Sequence, residues 1–173
     1  MSAPCSDTRA PVIFRTPRLN VRGYADADAD RHHALRADPD VRRYMHWSEG
    51  EDFAAVLAAG RGRVLPDERG WLNLAVARHG ALQPIGDFGL RVENRIAWLG
   101  LALLPEARRQ GHGRELVSAA MRWLRSHGIR HFRAEIDFGN AASFALFFAL
   151  GFRVIADRMD EFGPFAELET VSR

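Results

Sequence analysis

Residues 105–116 read PEARRQGHGREL, and the reading of this stretch decides the fold. Before it, RIAWLGLALL (95–104) becomes apolar on both faces, as a central strand covered on both sides would be. After it, Leu116, Val117, Ala120, Met121 and Leu124 fall on one stripe of a helix over about 112–127, which Gly128 closes. A strand, a glycine-rich corner and a helix in that order put backbone N–H groups and a helix N-terminus at the strand's C-terminal end. That helix end carries roughly half a positive charge. Gly111 and Gly113 let the backbone come close to an anion, and Arg108, Arg109 and Arg114 add charge, so the corner reads as a pyrophosphate cradle. A P-loop does not match, because it needs Gly-Lys-Ser/Thr and the chain has no lysine. A dinucleotide fingerprint needs a third glycine where Leu116 stands.

Working outward, RTPRLNVRGY (15–24) alternates around Leu19 and Val21 as a first strand. Asp26 or Asp28 is placed to cap a helix ending near Asp38-Pro39. VRRYMHW (41–47) reads as a short amphipathic turn, and Ser48 and Glu51 stand at capping-box spacing ahead of a helix to Gly60. GRGRVLPDERG (60–70) reads as a flexible basic loop. Strands follow at 71–78 and 84–92, then the strand–corner–helix unit, a strand at 129–138, a helix at 140–151, and a final hairpin of 152–161 with 165–171 around Gly163-Pro164. The expectation is one α/β (α+β) domain over 15–173, behind a tail at 1–14. Its central sheet is mixed, mostly antiparallel and twisted, with about seven strands and helices on both faces.

The 173 residues suit one domain and can bury a core without disulfides or metal. A formal charge of +2 is too small to argue for nucleic acid. All 24 basic residues are arginine, so any anion site is built from guanidinium groups or backbone N–H. Cys5 is the only cysteine, and no Cys/His cluster has metal spacing, so no metal is expected. No apolar run approaches the ~20 residues of a membrane span. The expected setting is the cytoplasm, without a membrane partner, and a homodimer stays open.

Arg108-x-x-Gly111-x-Gly113 between a strand and a helix is similar to the Arg/Gln-x-x-Gly-x-Gly/Ala signature of the GNAT acetyltransferase superfamily. TPRLNVRGY, DPDVRRYM, IGDFGL and Asn140-x-x-Ser143 ending in Leu150-Gly151-Phe152 resemble the branch containing the ribosomal-protein N-terminal (RimJ/RimL-type) acetyltransferases. The likeness covers about 16–170. It implies acetyl-CoA as acyl donor, with its pyrophosphate held by Arg108, Arg109, Gln110, Gly111, His112, Gly113 and Arg114. It implies that the pantetheine arm runs along Leu101 and Leu103, facing Asn140 and Phe147. It implies acetyl transfer to an amine, either a protein N-terminus or a small molecule. A CoA-binding sensor without activity and a nucleotide-binding module are the rival readings.

Acetyl transfer needs a neutral amine, a polarised thioester and a thiol able to leave. Deprotonating an α-amine of pKa near 8 at pH 7 costs about 1.4 kcal/mol, against about 4.6 kcal/mol for a lysine-type amine near 10.4. Asp87, Glu93 and Asp137 are the candidate bases, each with a plain alternative as a solvated or strand-end carboxylate. Many relatives protonate the leaving thiol with a tyrosine where Phe147 stands here, and the resembling branch places Ser143 as proton donor. The alternative for Ser143 is a helix-end hydrogen bond to backbone. Trp47, Trp71, Trp98 and His46 are open to either an acceptor pocket or plain packing, and His112 to a loop exposed to solvent.

Overall fold

The computed structural model describes residues 10–47 and 52–171. Two short strands, β1 (Val12–Arg15) and β2 (Leu19–Arg22), lead into α1 (Ala29–Ala37), α2 (Pro39–Tyr44) and α3 (Phe53–Gly60). Three long strands follow, β3 (Leu72–Arg78), β4 (Pro84–Glu93) and β5 (Ile96–Leu103). Then come α4 (His112–Ser126), β6 (His131–Asp137), α5 (Ala141–Ala149), β7 (Arg153–Asp160) and β8 (Gly163–Val171). The eight strands make one sheet in the order β1-β2-β3-β4-β5-β6-β8-β7. Every neighbouring pair is antiparallel except β5 and β6.

The strand beyond the expected seven is β1, inside the stretch read as a tail. Its Phe14 explains it: the ring is buried, stacked on Trp123 at 5.3 Å and set edge-on to Phe88 at 5.9 Å. The helix start at 26–29 also differs from expectation. Asp28 stands at the N-cap of α1 as read, but its side chain makes no cap hydrogen bond there. Its buried carboxylate accepts a forked pair from Arg22 (2.6 and 2.9 Å) and the Ala25 N–H (2.9 Å). Residues 39–44 are a helix rather than a turn, capped by Asp38, whose side chain accepts from Val41 N–H. The cap of α3 is Asp52, accepting from Ala55 N–H at 2.8 Å. Ser48 and Glu51 lie outside the described residues. The loop 60–70 is cross-linked, since Asp67 pairs with both Arg63 and Arg69.

The stripe on α4 is buried as read: Leu116, Val117, Ala120 and Leu124 are fully inside, with Met121 nearly so. It packs under the sheet with Phe88, Phe132 and Leu168. The fully covered strand, however, is β4, buried continuously from Pro84 to Leu90, and not β5. Strand β5 alternates because one of its faces borders open space, and that space is the site.

Candidate active site

Strands β5 and β6 pair only through Ile96–His131, Ala97–Phe132 and Trp98–Arg133. Beyond Leu99 they part. Strand β6 follows β8 instead, in unbroken register from His131–Val171 to Asp137–Phe165. The wedge between them holds a cavity of about 300 Å3, bordered by Leu99–Leu103, Glu135–Asp137, Asn140, Ser143, Phe147 and Arg108. Leu101 and Leu103 thus lie on a strand whose far edge has no strand partner, free to pair with an extended arm.

At the end of β5 the chain makes a short 3-10 turn (Pro105–Ala107) and enters α4 through Gly111 in the left-handed region (φ 78). Arg109 is also left-handed (φ 59), a conformation that non-glycine residues adopt rarely. Among the described residues, no acceptor takes the N–H groups of residues 109–114. These free donors at a helix N-terminus fit an anion. A Cβ on Gly113 would meet Leu101 Cδ1 and Leu146 Cδ2, both at 3.3 Å. This glycine therefore lets α4 sit close to β5 and α5.

Three residues of the cradle do something other than expected. The Arg108 N–H donates to Pro105 O (3.2 Å), and its guanidinium donates to Leu103 O (2.9 Å), Asp40 (2.9 Å) and Asp38. Arg108 fastens the loop to α2 and adds no free charge. His112 is buried, and its Nδ1 donates to Ala107 O at 3.1 Å, which fixes the corner from inside. Gln110 spans from Glu106 O (2.7 Å) to Arg78 (3.4 Å). Arg109 and Arg114 remain exposed and form no ion pair among the described residues. Sequence reading missed the brace beneath. Arg18 donates to Glu115 (2.6 Å) and to Gln110 O (3.0 Å), and Thr16 Oγ1 also bonds Glu115.

The other end of the wedge opens into a second cavity of about 370 Å3. Trp47, Trp71, Trp98, Phe162 and Phe165 form its aromatic walls, and Glu135, Asp137 and Asp160 are its carboxylates. His46 lines it as well, and Tyr44, Met45, Leu99, Gly100, Glu135 and Asp137 border both cavities. Arg91 lies over Trp71 (5.3 Å) and Trp98 (4.9 Å) and holds those rings in place. Although Glu135 is solvent-exposed as a residue, desolvation raises its carboxyl pKa; Arg91 opposes this, and Glu167 and Asp160 reinforce it. A larger cavity, about 870 Å3, lies elsewhere, against Ile13, Tyr24, Val56 and Trp123, and none of the candidate site residues lines it.

The structure brings Asp137, Asn140, Ser143, Phe147, Leu101 and Leu103 together around one cavity. It separates Asp87 from them. Asp87 is buried, accepts the Tyr24 hydroxyl at 2.9 Å and lines neither cavity, contrary to its reading as a base or as a solvated turn residue. Glu93 is exposed where β4 ends. Asn140 caps α5 by accepting Ser143 N–H at 3.2 Å, so the helix end is satisfied by Asn140 and not by the serine hydroxyl. Phe147 is buried against Phe152 (4.9 Å, edge-on) and is wall, with no proton to give. Among the described residues no group of three or more His, Cys, Asp or Glu is placed to hold a metal, and no helix is long and apolar enough to cross a membrane.

A parted parallel strand pair beside an anion cradle leaves a slot with unpaired backbone on one side and free N–H donors at its end. Residues 18–153 match the family model described as "Acetyltransferase (GNAT) domain", and the chain belongs to that family of acyltransferases. An aminoglycoside N(6')-acetyltransferase type 1 of Klebsiella aerogenes is 31% identical over 125 residues, covering 68% of this chain and 77% of that protein. In fold, the chain is similar to the spermidine N-acetyltransferase of Vibrio cholerae solved with CoA and spermine. The TM-score is 0.72 at 16% identity, over 88% of this chain and 95% of that one. It is also similar to RimJ of Mycobacterium smegmatis solved with CoA-disulfide, with a TM-score of 0.71 at 13% identity over 89% and 82%. Fold likeness thus reaches several branches of the family at once.

Proposed function

We propose that this chain moves an acetyl group from acetyl-CoA to an amine nitrogen by direct attack at the junction of the two cavities. The observation that carries the reading is the parting of β5 and β6 at Leu99, which opens a slot from the cradle to a pocket of aromatic rings and carboxylates. The free N–H groups of 109–114 hold the donor's pyrophosphate, and the unpaired edge of β5 near Leu101 and Leu103 takes its amide-bearing arm. A backbone N–H near Leu101 polarises the thioester carbonyl. Ser143, on the wall of the slot, donates a hydrogen bond to the departing sulfur. A thiol pKa near 8.5 means little acid assistance is needed, so Phe147 in a tyrosine's place is no obstacle.

The acceptor cavity favours one acceptor class over a plain peptide N-terminus. Its lining holds three carboxylates (Glu135, Asp137, Asp160) and no arginine. A small amine with a second positive charge fits it best, and the names of the aminoglycoside and spermidine relatives agree with that chemistry. The test is thiol release from acetyl-CoA with a panel of mono-cations, di-cations and N-terminal peptides, alongside calorimetric CoA binding. Di-cationic amines should turn over fastest. Tight CoA binding with no turnover on any amine would point to the sensor reading instead, and tighter binding of ATP or NAD than of CoA would point to a nucleotide module.

A further inference from the structure

The carboxylates that attract a cationic acceptor also hold its proton, so an acceptor in this pocket needs a base close by. His46 follows α2 and lines the acceptor cavity. Its Nε2 lies 2.6 Å from Asp137 Oδ2. A carboxylate oxygen only accepts, so Nε2 carries the hydrogen and Nδ1 keeps its lone pair. The imidazole lies flat on Phe162, centroids 4.3 Å apart and planes within 1°. Two groups from distant parts of the chain thus fix both the tilt and the tautomer of one ring. Asp137 borders both cavities, so the pair stands where the slot meets the acceptor pocket.

We propose that His46 is the general base of the transfer and that Asp137 is its positioning residue; this rests on the acetyltransferase reading above. Nδ1 takes a proton from the acceptor ammonium and passes it to solvent. The freed lone pair forms the C–N bond at the thioester carbonyl, and Nδ1 takes the second amine proton. The C–S bond breaks with its electron pair going to sulfur, which takes a proton from Ser143 or water, and Nδ1 returns the second proton to that donor, restoring the neutral base. An ammonium and a thioester become an amide, a thiol and one released proton. The charged and titratable groups that line the same cavity as the ring are Asp137 and Glu135 from β6, Asp160 from the end of β7 and the Tyr44 hydroxyl from α2.

The experiment is steady-state turnover of acetyl-CoA with the amine that the wild type uses fastest, in H46Q, H46A and D137N, with CoA affinity and Tm on the same samples. H46Q and H46A should lose kcat on the order of a hundredfold, the lower end for a positioned proton acceptor. CoA affinity should stay within about threefold. The acid limb of the wild-type pH profile should vanish in H46Q, and added imidazole should restore part of the H46A rate. D137N should lose about tenfold in kcat at unchanged CoA affinity. If H46A folds poorly, H46Q carries the same test, because glutamine can still donate to Asp137. H46Q turning over within twofold of wild type, with the acid limb intact, would overturn this assignment alone. A wild type that binds CoA but acetylates no amine would overturn the function and this inference together.

Discussion

The two ends of the slot are built in opposite ways. The donor end is local: one strand, one corner and one helix, consecutive over residues 96–126, with its anion donors on the backbone. The acceptor end is assembled from side chains on α2, β3, β5, β6 and the β7–β8 turn, and its key pair, His46 and Asp137, is 91 positions apart in sequence. Recognition by backbone needs glycines at fixed spacing and leaves a motif. Recognition by side chains needs only that the fold bring them together, and so it leaves none.

The largest expected effect falls on the local end. G111V forces a branched side chain into a left-handed conformation (φ 78), and G113V drives a Cβ into Leu101 and Leu146. Both should weaken CoA binding more than a hundredfold by calorimetry. Folded variants that bind at wild-type affinity would show that the cradle is not where the donor sits.

Ser143 lies between the two ends. S143A should lower kcat on the order of ten- to a hundredfold and leave CoA affinity within about threefold, a difference under roughly 0.7 kcal/mol. Its Tm should not move, since Asn140 satisfies the end of α5. N140A should instead cost about 1 kcal/mol of stability. A wild-type kcat in S143A would leave water as the proton source.

At the dispersed end, a side chain that only attracts the acceptor, and takes no proton, carries less. E135Q should raise the KM of a di-cationic amine roughly three- to tenfold and leave that of acetyl-CoA unchanged, as the loss of one partly solvated charge would. Equal loss for mono- and di-cations would remove the second-charge argument.

The smallest effect concerns α1, away from the acceptor cavity. His32 is buried between Tyr24 (5.2 Å) and Phe53 (4.9 Å). Desolvation first, then the charges of Arg36 and His33, lower its pKa to about 4. An unfolded imidazole titrates near 6.5, so between pH 6.5 and 4 the unfolded chain takes up a proton that the native one refuses. Its share of stability is complete above that window and is lost as pH falls through it. Tm should therefore drop by several degrees more in wild type than in H32N between pH 7 and 4.5, and parallel curves would contradict this.

What could be read in the sequence follows the same division. The apolar stripe from Leu116 to Leu124, the alternation around Leu19 and the glycine corner are short-range patterns, and the structure carries all of them. Strand β1 has no clear pattern in its four residues: it pairs with β2, but the burial that fixes it comes from Phe14 against Trp123 and Phe88, far along the chain. His112 looked like a loop residue because nothing local reveals the Ala107 carbonyl that buries it. Asp87 looked solvated because its partner, Tyr24, stands 63 positions away. Trp47, Trp71, Trp98, His46 and Asp137 can be picked out as candidates one at a time, but the sequence gives no sign that Glu135, Asp160 and Phe162 join them in one acidic, aromatic pocket.

Helix α2 has a consequence for how the two substrates bind. Arg108, in the corner that follows β5, grips Asp38 and Asp40. From the same short segment, Tyr44 reaches Gly139 O (3.2 Å) and His46 reaches Asp137, both at the end of β6. One six-residue helix is thus tied to each bank of the wedge. A ligand that spreads or narrows the wedge would strain the same fastening, and the free energies of donor and acceptor binding would then be coupled. Linkage then requires each ligand to change the other's affinity by one common factor. CoA affinity measured with and without saturating acceptor gives that factor, and R108Q, which cuts one tie, should bring it towards one.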